Sequence, residues 1–280
     1  MPALPLSVMQ ISDLHADPAN PADRQRCDRV RETIAAIGPD LIINTGDVSS
    51  DGMLQPEMFD GLKAWQSEMG VPVYTVPGNH DVGNSLGEEK PVVCDAFIDR
   101  YLQTFDDRFS VNHQGWRFIG INSMLLGSGL DRETDQLEWF IAELDLAQAA
   151  GELVSVWMHM PLFLQNPDEV VTGGSAYWIP DPPVRDKWIA ELDRACVRLV
   201  GSGHCHWYAS TRAMDVDWVW APSLQGLVVD DYLFPPGGKI SGLVHHRLGE
   251  DAISHEVIPV EMPEQLIRLN YPEQAEEQAG

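Results

Sequence analysis

Short apolar runs alternate along this chain with longer stretches in which apolar residues recur at helical spacing. The runs at residues 6–11, 41–43, 71–76, 116–122, 153–158 and 197–201 predict strands. Residues 23–37, 56–69, 94–105 and 135–150 predict helices. In the first of these Val30, Ile34 and Ile37 share a face, and Gly38-Pro39 ends it. Beyond residue 206 the helical spacing disappears. Residues 208–213, 217–221, 240–248 and 252–260 read as consecutive antiparallel strands, which predicts a second sheet packed against the first. The expected fold is α/β, with two sheets face to face and helices outside them. One domain spans residues 1–270, and the polar residues 271–280 form a frayed tail.

Most of the predicted strands run straight into a cluster of metal-ligand residues. The clusters are Asp13-x-His15, Gly46-Asp47, Gly78-Asn79-His80-Asp81, His159 and Gly203-His204-Cys205-His206. Open α/β sheets place their sites at such carboxyl ends. Taken alone, Asp13 or Asp47 reads better as a turn or cap residue, His159 as a core histidine, and Gly78 or Gly203 as a tight turn. Taken together, the ordered set points to a metal site. Seven carboxylate, amide and imidazole ligands are too many for one tetrahedral ion and suit two ions sharing a carboxylate. Cys205 lies between two of them and is read as packing.

Composition narrows the partners. Eighteen basic residues against forty-three acidic ones give a net charge of −25, and four of the basic residues are lysines. Nucleic-acid binding needs clustered Lys and Arg, so it is excluded as a partner class. No apolar stretch approaches the roughly 18 residues of a membrane span. The amino-terminal residues lack the basic segment and long apolar run of a signal peptide. Four cysteines without a C-x-x-C pair fit a reducing cytoplasm. No feature reports an oligomeric state.

The order Asp-x-His, Gly-Asp, Gly-Asn-His-Asp, His, Gly-His-x-His, spread over residues 8–206, resembles the calcineurin-like metallophosphoesterase superfamily. That resemblance implies a four-layer αββα sandwich of two mixed β-sheets flanked by helices. It implies one metal held by Asp13, His15, Asp47 and His206, and a second held by Asp47, Asn79, His159 and His204, with Asp47 bridging. His80 would act beside the substrate, with Asp81 fixing its orientation. The cofactors would be two ions drawn from Mn, Fe, Zn or Co, and the substrate a small-molecule phosphate ester. Water bridging two ions roughly 3.5–4 Å apart becomes available as hydroxide near neutral pH. The expected reaction is its attack on phosphorus.

Two substrate classes compete. The segment from Gly46 to Gly52 and the Gln136-Leu137-Glu138-Trp139 helix are similar to bacterial cyclic-nucleotide and glycerophosphodiester phosphodiesterases. Many of those carry an arginine two residues after Gly-Asn-His-Asp, where Gly83 stands here. The segments from Gly78 to Asn84, from His159 to Leu164 and from Phe105 to Ser123 are similar to calcineurin-like phosphoesterase-domain serine/threonine phosphatases. The iron-binding tyrosine of purple acid phosphatases would fall at Ser50. The first expectation is therefore a phosphodiesterase, with a phosphomonoesterase as the alternative and a non-enzymatic scaffold a distant third. Tyr177 and Trp178, in a long loop, are candidates to line the substrate pocket or to cap the core beneath it.

Overall fold

A computed structural model describes residues 4–85, 91–171, 177–226, 237–238 and 240–260 of the chain. Three parallel strands start the fold: β1 (Leu6–Ile11), β2 (Leu41–Asn44) and β3 (Val73–Thr75). Helix α1 (Pro21–Ile37) joins the first two and α2 (Glu57–Ser67) the last two. The ends of α1 follow local chemistry. Asn20 Oδ1 accepts from Ala22 N, Pro21 opens the first turn, and Gly38 closes the helix in the left-handed region.

The short α3 (Asn79–Val82) and α4 (Asp95–Tyr101) lead into a second sheet. Its strands are β4 (Phe109–His113), β5 (Trp116–Gly120), β6 (Leu153–Trp157), β7 (Val197–Ser202), β8 (Tyr208–Ala213), β9 (Val216–Trp220) and β10 (Gly237–Gly238). Helix α5 (Asp131–Ala150) connects β5 to β6, and α6 (Pro182–Leu192) precedes β7. The chain then returns to the first sheet with β11 (Gly242–Leu248) and β12 (Ile253–Pro259). The two sheets run β12-β11-β1-β2-β3 and β10-β8-β9-β7-β6-β5-β4, and both mix parallel with antiparallel pairs.

Side chains alternate across each strand, so one face meets the other sheet and one meets helices. Leu6 and Val8 of β1 and Leu41 and Ile43 of β2 pack with Trp116, Phe118, Trp157, Leu199 and Val219 between the sheets. Met9, Ile11 and Ile42 turn outward, into a core shared with Val30 and Ile34 of α1 and Phe59 and Leu62 of α2. On the second sheet Ile119, Val154 and Val156 share that core with Phe140 and Leu144 of α5 and Trp188 of α6. This is the expected two-sheet, helix-flanked α/β sandwich.

One expectation is corrected. The strands after residue 206 do not form a sheet of their own. β8 and β9 extend the second sheet, where β9 pairs with β7 in parallel. β11 and β12 join the first sheet, with β11 antiparallel to β1. The expected polar tail, 271–280, lies outside the described residues.

Register places the site. Ile11, Asn44 and Thr75 are aligned across β1, β2 and β3, and Trp157 faces Gly201 across β6 and β7. The loops that follow therefore leave their sheets level with one another.

Candidate metal centre

The loops at the strand ends are tied together by their backbones before any side chain is considered. Asp13 N donates to Gly46 O and His15 N to Asp47 O, while Gly203 N donates to His159 O. Leu224 N and Ser223 Oγ both donate to Asp13 O, and His204 N donates to Asp13 Oδ2, which joins the two sheets at this edge. Gly78 lies so close to the second loop that a Cβ there would overlap Asp47 Oδ1. Asp13, His15, Asp47, His204 and His206 all adopt positive φ, between 44° and 68°. Among non-glycine residues that region costs of order 1–3 kcal/mol each, and Asp and His tolerate it better than most. The other non-glycine residues of this kind among those described are Gln114, Met214 and Asp215, in two hairpin turns. The strain thus falls on the candidate ligands.

All seven predicted ligand residues converge. Asp13, His15 and His206 bring their ligand atoms within 4.8 Å of one another, and so do Asp47, His159 and His204. Asp47 lies between these groups, with Oδ2 at 3.4 Å from His15 Nε2 and 3.3 Å from His159 Nε2. Asn79 Oδ1 is 3.1 Å from His159 Nε2. His80 stands beside them, its ring centroid 4.5 Å from that of His15. All seven ligand candidates are buried, and His80 is half-buried.

Three imidazoles are oriented by backbone carbonyls. A carbonyl only accepts, so the facing ring nitrogen carries the proton. His159 Nδ1 donates to Thr45 O at 2.8 Å, His204 Nε2 to Tyr177 O at 3.1 Å and His80 Nδ1 to Ser50 O at 2.7 Å. Each leaves its other nitrogen for the site, the usual supporting pattern around metal-ligating histidines. Here a second expectation changes. The Asp81 carboxylate does not reach His80. It accepts from Val48 N, Ser49 N, Ser49 Oγ and Gly78 N, and so clamps the Asp47 loop to the Asn79 turn. Ser50 has the orienting task instead.

The charges of the metal-free site are unequal. Burial alone would raise the Asp13 carboxyl, but His206 and His15 hold it well below its ordinary value. The same opposition leaves Asp47 strongly lowered by His159, His80 and His15. Burial pushes His15 down to about 4 and His204 down to about 3, so both rings are neutral. His159 is the exception: burial would lower it, yet the Asp47 carboxylate lifts it to about 9. Burial and the nearby Asp47 charge raise Asp81.

The donor set fits cations. Asp13 Oδ1 is buried and has no hydrogen-bond partner among the described residues, although His206 Nε2 lies at 3.2 Å. His15 Nε2 and His206 Nε2 face each other at 3.1 Å. Carboxylate oxygens and imidazole nitrogens converging with too few donors between them are what a divalent ion satisfies.

Tyr177 and Trp178 flank this centre. The Tyr177 ring stacks on His204 at 5.1 Å and 29°, Trp178 lies 5.3 Å from the same ring, and Tyr177 is 37% exposed. Cys205 is fully buried in the core, as read from the sequence.

One contributor escaped the sequence reading. Arg26 is fully buried, donates to Leu14 O and His15 O, and pairs with Asp23. It props the Asp13–His15 loop from behind. The signal was available: Asp23, Arg26, Cys27, Val30 and Ile34 share the helical spacing of the buried stripe of α1, so an arginine occupied a core position.

The profile of the calcineurin-like phosphoesterase family matches residues 6–208. The chain belongs to that family. Serine/threonine-protein phosphatase CPPED1 of Mus musculus is 32% identical over 156 residues, covering 53% of this chain and 46% of its own. A probable cyclic nucleotide phosphodiesterase of Psychrobacter sp. is 25% identical over 202 residues, covering 71% of this chain and 54% of its own. The chain thus spans about half the length of these curated relatives. A dimetal phosphatase from Danio rerio superposes with a TM-score of 0.60 at 14% identity, covering 92% of this chain and 98% of that one, a likeness of fold. Among the described residues no helix is long and apolar enough to cross a membrane.

Proposed function

We propose that this chain is a dinuclear metal-dependent phosphoesterase that hydrolyses a small phosphodiester of the cyclic-nucleotide or glycerophosphodiester class. The observation that carries the dinuclear reading is Asp47 Oδ2, at nearly equal distance from His15 and His159 and shared by two separate ligand groups. Asp13, His15, Asp47 and His206 would hold one ion, and Asp47, Asn79, His159 and His204 the other. Ions of the Mn, Fe, Zn or Co type supply Lewis-acid polarisation of the phosphate and acidification of water. The chain's own residues do the rest. His80, its Nδ1 engaged by Ser50, turns Nε2 to the site, where it bonds the phosphate or protonates the leaving oxygen. In the metal-free site burial lowers His80, and the Asp47 carboxylate raises it above its ordinary value. Tyr177, exposed beside His204, offers a flat surface to an aromatic leaving group, with Trp178 behind it.

The diester reading draws on the longer of the two matches, to the probable cyclic nucleotide phosphodiesterase. A phosphomonoesterase is the second reading, favoured by the 32% identity to a protein serine/threonine phosphatase. Turnover of bis(p-nitrophenyl) phosphate and p-nitrophenyl phosphate, side by side on metal-stripped protein reloaded with Mn²⁺, separates them. The diester is expected to turn over faster. A preference for the monoester would move the protein to the phosphatase reading. The four free cysteines support work in a reducing, cytoplasmic compartment.

Metal uptake has a pH signature. Without metal, His159 keeps its extra proton at every pH below about 9, and it must lose that proton to become a ligand. Affinity for the ion at His159 therefore rises with pH until that value is passed. Binding at pH 7.5 should release about one proton per chain from this group. Calorimetric titration in two buffers of different ionisation heat measures it. A binding heat independent of the buffer would refute the assignment of His159.

A further inference from the structure

Asn79 is the one candidate ligand whose two ends differ in kind: an oxygen that can hold a cation and an NH₂ that cannot. Something must decide which end faces the site. Without metal, protonated His159 Nε2 donates to that oxygen, but this contact would be lost once His159 held the ion. The deciding contact lies on the other side, where Asn79 Nδ2 donates to Asn84 Oδ1 at 3.0 Å. That bond turns Asn79 Oδ1 toward His159 and the site.

Asn84 is itself fixed from both directions. Its backbone N donates to Pro91 O at 2.9 Å, and its O accepts from Val93 N at 2.8 Å. The chain reaches this position through Gly83, at a φ of +100° that L residues rarely adopt. Any Cβ at Gly83 would come within 2.7 Å of Val93 N and 2.8 Å of Val92 C. Gly83 N closes the turn onto Asn79 O. The backbone from Asn79 to Asn84 is thus folded back on itself, and the result is one side chain laid against another. Gly83 serves this turn.

We infer that Asn84 is a positioning residue for the second metal: it fixes the amide orientation of Asn79 and so sets the affinity of the Asn79–His159–His204 side of the centre. The inference rests on the dinuclear reading above. Removing such a supporting contact typically weakens metal affinity roughly 10–100-fold. Metal-stripped wild type, Asn84→Ala and Asn84→Asp would be titrated with Mn²⁺, following bound metal by calorimetry and the free ion by electron paramagnetic resonance. In Asn84→Ala the second ion should bind roughly 10–100-fold more weakly, while the first changes less than about threefold. Asn84→Asp keeps the acceptor oxygen and should restore the second ion.

A general structural role would weaken both ions alike, and that result would overturn the inference. So would an Ala variant binding the second ion as tightly as wild type, or a folded Asp variant that loses it. Should alanine prevent folding, Asn84→Ser, too short to reach Asn79, takes its place with the same expectations. A wild type that binds fewer than two ions would instead overturn the dinuclear reading, and the inference with it.

Discussion

Asn in place of Asp47 should lower kcat/KM by about 10³-fold, roughly 4 kcal/mol of transition-state stabilisation at 1.36 kcal/mol per decade. The substitution conserves shape, so its effect isolates the carboxylate. Asp47 uses both oxygens: Oδ1 accepts from His80 N at 2.8 Å, and Oδ2 faces His15 and His159. An amide has a single oxygen for these two duties. If that oxygen keeps the His80 bond, an NH₂ group points at the ligand nitrogens and repels the ions. If it turns inward, His80 N loses its partner and the turn that carries Asn79 loosens. Either way the shared negative charge between the two groups is gone, and metal content should fall below two per chain. Metal analysis and kcat/KM on the same preparation check this. Activity within about tenfold of wild type, with two ions retained, would mean that Asp47 does not bridge.

His80→Ala should leave both ions bound and lower kcat roughly 10²–10⁴-fold, the usual contribution of a positioned acid or base. The size should depend on the leaving group. An alkoxide leaves poorly without a proton, whereas p-nitrophenolate leaves nearly unaided. The loss should therefore be large for a glycerophosphodiester and small for bis(p-nitrophenyl) phosphate. A pH profile adds a sign. His80 donates a proton only when protonated, so activity should decline as pH rises through its value in the metal-loaded enzyme. The alanine variant should lack this decline. An equal loss on both substrates would assign His80 to phosphate binding alone.

The candidate site was legible in the sequence to an unequal depth. Asp13, His15, Asp47, Asn79, His159, His204 and His206 stood out because each follows an apolar run, and a shared edge of two sheets collects such ends. The supporting contacts were much less visible. Thr45, Ser50 and Tyr177 act through backbone carbonyls, which every residue possesses, so no residue type announces them. The positive φ at five of the ligands leaves no mark either, since Asp and His are ordinary in loops. Asp81 looked like a partner for its neighbour His80. It serves instead the Val48–Ser49 loop, over thirty residues away in sequence, a pairing that only the packed fold determines.

The fold shows the same divide. The loss of helical spacing marks β8, β9, β11 and β12 as strands but carries no information on their partners. β11 finds β1 across more than two hundred residues, and β9 lies parallel to β7 although β8 separates them in sequence. Pairing of this kind depends on which edge is free once β1 and β7 are in place, which local pattern does not encode. Helix α6 is not among the predicted helices, although Pro182 and Pro183 open it and proline is at home in a first turn.

The most direct test of the dinuclear centre is a titration of metal-stripped protein with Mn²⁺ that follows bound ion and hydrolysis of bis(p-nitrophenyl) phosphate together. The arrangement around Asp47 predicts saturation at two ions per chain, with turnover appearing as the second site fills. Saturation at one ion with full activity would contradict it.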